Sequence, residues 1–146
     1  LKEAMEAHLT DITRVIQLAV APVFLLTAIA TMINALNVRL GRIVDRRRVV
    51  QERADRVAAA GAVGDEITML KRRSALVYYA IFCAVLSALL VCMVVAGAFL
   101  GALLGVDLAR VVAALFIAAM LAMIAGLSLF LREVYLAVRA GTHNQP

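Results

Sequence analysis

Hydrophobic positions fall in three long runs. Residues 15–36, VIQLAVAPVFLLTAIATMINAL, carry no charged side chain, and residues 75–104 and 108–131 are almost as apolar, with Arg110 near the start of the last. About 20 apolar residues at ~1.5 Å rise per residue match a hydrocarbon core of ~30 Å, so each run predicts a transmembrane helix. The second would be ~45 Å long and must tilt or protrude. Gly105-Val106-Asp107 then makes a turn so short that the second and third spans lie side by side and antiparallel.

The flanks have their own pattern. Residues 1–14 predict a short amphipathic helix at the interface, with Met5, Leu9 and Ile12 on one side and Lys2, Glu3, Glu6 and Asp11 elsewhere. His8 in this segment and His143 in the tail read as solvated. Between the first two spans, Leu40, Ile43, Arg47, Val50, Ala54 and Val57 are alternately three and four apart. After GAVGD the series resumes with Val63, Ile67, Leu70, Ser74, Val77 and Ile81. This heptad seam predicts a helical hairpin over residues 37–74, turning between Gly61 and Gly64, with Asp65 and Glu66 opening its second helix. Arg47 interrupts the seam. Residues 132–146 form the tail.

The fold expected is therefore all-α: an integral membrane protein with three transmembrane helices and a cytoplasmic helical hairpin. With 64% hydrophobic and 17% charged residues and a mean hydropathy of +0.95, a soluble domain would lack polar surface. The net charge of +5 reflects topology rather than nucleic-acid binding. Arg39, Arg42, Arg46, Arg47, Arg48, Arg53, Arg56, Lys71, Arg72 and Arg73 all lie between the first two spans. Such clusters are retained in the cytoplasm, which places the N-terminus outside and the C-terminus inside. Cys83 and Cys92 fall on opposite helix faces, about 13.5 Å apart along the axis, and cannot pair with each other.

Pro22 removes an amide donor and predicts a bend in the first span. At ~100° per residue, Thr10, Thr13, Gln17, Thr27, Thr31 and Asn34 fall in one sector, with Val20 and Phe24 among them. Polar groups at this depth must face protein or water. Two readings answer to the stripe. One is hydrogen bonding between helices; the other is a water-filled path around which several copies place Gln17, Thr27, Thr31 and Asn34, with Val20 and Phe24 as a constriction. Three spans cannot enclose such a path, so it requires a homo-oligomer. Small residues also recur every fourth position, at Gly97, Gly101 and Gly105 and at Ala114, Ala118, Ala122 and Gly126, which predicts close approach of the second and third spans.

The stretch IQLAVAPVFLLTAIATMINALNVRLGRIVDRRR resembles the bacterial membrane-protein family catalogued as domain of unknown function 2721. The elements that carry the likeness are Pro22, Phe24, Leu25, Leu26, Asn37, Arg39, Leu40, Arg42, Ile43, Asp45 and Arg46, with the Phe-Leu-x-Glu-Val end of the last span at Glu133. The resemblance implies a small multi-span membrane protein, with no substrate or catalytic residue attached, in a bacterial inner membrane.

Arg39, Arg42, Asp45 and Arg46 share a helical face where the first span ends, and Asp45 is in reach of Arg42. Glu133 emerges at the same level from the third span. Either Glu133 or Asp45 bridges to Arg39 or Arg42, or these charges meet anionic lipid headgroups. No residue spacing suggests catalysis, a metal site or a cofactor. The expectation is a non-enzymatic, homo-oligomeric inner-membrane protein whose leading specific mechanism is an ion-conducting pore lined by the first span. The alternative is a scaffold or accessory subunit that binds a membrane-protein partner through its hairpin.

Overall fold

The computed structural model describes residues 1–56 and 60–142. It contains three helices, α1 (Lys2–Arg56), α2 (Ala60–Leu104) and α3 (Ala109–Thr142), and the described residues include no strand. Each helix holds a stretch long and apolar enough to cross a membrane. The expected side-chain placements of His8, Ile12, Val57, Val63 and His143 lie outside the described residues.

Four expectations change. The amphipathic segment 1–14, the first span and the arm beyond it form one uninterrupted helix that runs through Pro22. At ~1.5 Å per residue its 55 residues reach about 80 Å, far more than a bilayer core needs. Second, α2 starts at Ala60, so Gly61 and Gly64 are helical rather than bracketing a turn. Third, α3 continues through residues assigned to the tail and ends at Thr142. Fourth, Arg47 is exposed and leaves the seam, while Ile43 and Val50 on either side of it are buried.

Packing follows a seven-residue period. Ile29, Leu36, Ile43 and Val50 of α1 are buried, and so are Leu70, Val77, Ala84 and Val91 of α2. Buried residues of α3 keep the same interval at Ala119, Gly126 and Glu133. A repeat of seven holds one stripe against a neighbour along the full length of a helix pair, because 3.5 residues then make one turn of the seam. Two clusters result. Leu36, Ile43, Val50, Leu70, Val77 and Ala80 form one, and Ile29, Ala84, Val91 and Ala119 form the other.

Helix α2 is central and packs against both others, whereas α1 and α3 touch over a short stretch only. The junction of α2 and α3 is tight. A Cβ on Gly97 would lie 3.2 Å from Val112 Cγ2, and one on Gly101 would lie 3.2 Å from the Val106 carbonyl oxygen. Gly105, at φ 65°, supplies the left-handed residue that closes α2, and the Val106 amide donates to the Gly101 carbonyl. The Asp107 carboxylate then caps α3 by accepting from the Ala109 amide at 3.1 Å.

Candidate functional site

Glu133 is 1% exposed. It occupies a position on α3 where the period calls for an apolar residue, at the end of the apolar run. A carboxylate taken out of water needs charged partners, since an unpaired buried ion costs several kcal/mol. Two arginines meet that need. Arg39 of α1 donates from Nη1 to Glu133 Oε2 at 2.9 Å, and Arg73 of α2 donates from Nη2 to Oε1 at 2.9 Å. All three helices therefore converge on one carboxyl group. Arg39 also lies over the Phe130 ring, 5.1 Å from its centroid, one turn before Glu133.

The other members of the expected boundary network fall elsewhere. Arg46 reaches across to α2 and donates from Nη2 and Nε to Glu66 Oε1, at 2.9 and 3.3 Å. Asp45 is exposed and forms no ion pair with Arg42 or any other described residue, which corrects the expected contact. Arg42 is likewise without a side-chain partner among the described residues. Arg73 was not singled out in the sequence, because the run Lys71-Arg72-Arg73 does not show which of its members turns inward. Its position next to Ser74 and between the buried Leu70 and Val77 is the signal that marks it.

A second interhelical bond also lay hidden. Ser87, fully buried on α2, donates its hydroxyl to the Ala119 carbonyl of α3 at 2.8 Å. Small residues explain the approach that permits it. A Cβ on Gly126 would lie 3.3 Å from the Ala80 carbonyl oxygen and 3.4 Å from Cys83 Cβ. In the alanine series the structure shifts the register: Ala118 is exposed and Ala122 half-buried, while Ala119 is fully buried. Cys83 and Cys92 are both free thiols.

The polar stripe of α1 turns away from the rest of the chain. Gln17, Thr27, Thr31 and Asn34 are all exposed, as are Val20 at 46% and Phe24 at 71%. Thr27 and Thr31 donate their hydroxyls to the carbonyls of Val23 and Thr27, four residues back, at 3.1 and 2.9 Å. Those two hydroxyls are thereby satisfied inside the helix. The amides of Gln17 and Asn34 make no hydrogen bond among the described residues.

This face has a period of its own. Thr13, Gln17, Val20, Phe24, Thr27, Thr31, Asn34, Val38 and Gly41 follow at alternating intervals of four and three. It lies roughly half a turn from the buried column of Ile29, Leu36, Ile43 and Val50, at ~100° per residue. Helix α1 thus carries two heptad seams, one filled by α2 and one open. Of the three candidate spans α1 is also the least covered, with 6% of its most apolar window buried against 28% in α2 and 11% in α3.

The chain belongs to the family described as protein of unknown function (DUF2721), whose model matches residues 19–142. Neither a curated protein nor a solved structure matches it.

Proposed function

We propose that this protein is a non-enzymatic, homo-oligomeric component of the bacterial inner membrane, in which copies meet through the open seam of α1 and surround an ion-conducting path. The open seam is the observation that carries this reading. It repeats with the seven-residue period that the packed seam of the same helix uses, yet none of the described residues covers it. Gln17 and Asn34 would otherwise present bare amides beside lipid, which hydrocarbon penalises. Several copies arranged about an axis give those amides water or one another. Phe24 and Val20 then form the apolar constriction, and Arg42, next to Gly41 at the end of the seam, sits at the mouth. With the arginine-rich end in the cytoplasm, the N-terminus is outside and the C-terminus inside.

Native mass measurement of the detergent-purified chain, followed by conductance in planar bilayers, tests the proposal. An assembly of several copies whose conductance rises in Phe24→Ala and changes selectivity in Arg42→Gln is expected. A strict monomer sinks the oligomer, and an assembly that stays electrically silent removes the path.

A scaffold or accessory role is the second reading. It is favoured by the arms beyond the spans, where Val38, Val44, Val49 and Met69 are 40–53% exposed among the basic residues. A partner complex seated on the arms would cover them, and co-purification with intact arms but not with Val49→Lys would select this reading.

A further inference from the structure

We propose that a cleft between α1 and α2 binds a phosphate group, that of an anionic phospholipid lying against the protein. The cleft holds about 300 Å³ and is lined by Arg39, Arg42, Arg46 and Arg73, with Ile43 and Leu70 as its apolar wall. Four guanidinium groups face it. Only two carboxylates answer them, Glu133 for Arg39 and Arg73 and Glu66 for Arg46, so two positive charges remain unmatched.

The surplus is located on named groups. Arg42 has no side-chain partner among the described residues, and the Arg73 Nε is buried with no hydrogen-bond acceptor. A buried N–H left over in an otherwise satisfied ion cluster calls for an acceptor from outside the chain. Planar guanidinium forks fit the oxygens of a phosphate, and several together favour it over a carboxylate that one fork would satisfy.

Depth chooses the source. Arg39 follows the apolar run of α1, Arg73 precedes that of α2, and Glu133 follows that of α3, so the cleft lies where all three helices leave the hydrocarbon. Tyr78, Tyr79 and Tyr135 are exposed near the same level, and they are the only tyrosines in the sequence. Aromatic rings with a polar tip collect at the headgroup layer. A lipid phosphate is held at this depth by its own acyl chains, which run back into the hydrocarbon from which the three helices emerge, whereas a free anion pays to leave bulk water. One copy supplies every group, so the site does not depend on oligomerisation.

The test uses the full chain in a neutral detergent, with phosphatidylglycerol and phosphatidylcholine titrated separately and bound lipid counted by native mass spectrometry. Phosphatidylglycerol is expected to be retained in preference to phosphatidylcholine, and millimolar inorganic phosphate is expected not to displace it. Arg42→Gln, at an exposed position where folding is not at stake, should weaken phosphatidylglycerol about fivefold, as one basic group near an anionic headgroup predicts. Arg110→Gln, at the other end of the spans, should leave it unchanged. Equal retention of the two lipids, or an Arg42→Gln protein that binds like the parent, would overturn the site. Binding of inorganic phosphate without any preference for phosphatidylglycerol would overturn the lipid as its occupant.

Discussion

Arg73 and Glu133, sixty residues apart in sequence, meet at 2.9 Å in the interior of the helix assembly. Because Glu133 is 1% exposed and the Arg73 side chain 22%, this pair is screened far less than a surface ion pair. Removing one partner of such a pair leaves the other charge stranded.

Glu133→Gln should therefore lower stability by about 2–3 kcal/mol, a little under the full cost of breaking a buried pair, since the Arg39 side chain is 40% exposed and can turn to solvent. Arg73→Gln should cost more than Arg39→Gln for the same reason. Thermal unfolding in detergent of the three single variants and the Arg39/Glu133 and Arg73/Glu133 double variants gives the two coupling energies. Equal losses for the two arginines would contradict the ranking.

The glycines divide into two kinds, and substitution separates them. Gly126→Leu places bulk against the Ala80 carbonyl oxygen and should cost about 2 kcal/mol or more through overpacking, whereas Gly126→Ala needs only a few tenths of an ångström of relief. Gly105 has open space around it but a φ of 65°. Gly105→Ala should then cost about 1 kcal/mol from the backbone alone, and Gly105→Asn less, because asparagine accepts the left-handed conformation. The same unfolding assay reads both.

Along the arms, apolar contact should outweigh charge. Arg46 and Glu66 are 58% and 44% exposed at the side chain, so Arg46→Gln or Glu66→Gln should change stability by less than about 1 kcal/mol. Ile43→Ala, at a residue 5% exposed, should cost about 2–4 kcal/mol. Raising salt should narrow whatever difference remains between these two variants and the parent, because an exposed ion pair is screened.

Ser87→Ala removes the hydroxyl bond to the Ala119 carbonyl between α2 and α3, yet should cost only about 0.6 kcal/mol, the average for such bonds in membranes. Ser87→Leu, which must also find room at a fully buried position, should cost several times more.

The spans, the pairing of the second and third, and the residues Ile43, Val50, Leu70 and Val77 of the arm seam were legible in sequence, because hydropathy and heptad spacing act on long stretches. The level of Glu133 and Arg39 was legible too, since both follow directly on apolar runs. Arg73 was not, because three consecutive basic residues point in three directions and only the phase set by Leu70 and Val77 selects among them. Arg47 misled for a related reason. Its column includes Leu40 and Ala54, which are only half-buried, so a long side chain there reaches water without breaking the neighbouring column of Ile43 and Val50. The glycines at 61 and 64 read as a turn on composition, but a helix tolerates each at a cost of about 1 kcal/mol.

The column Ile29, Leu36, Ile43 and Val50 keeps its phase from the hydrocarbon into the charged arm. Sliding of α1 along α2 is consequently quantised: a displacement that restores knobs to holes must equal one full repeat, about 10.5 Å. Glu133 holds Arg39 at one such notch and would lose it at the next. Because α1 is one uninterrupted helix, any such displacement would involve the whole rod and would have to break the Arg39–Glu133 contact.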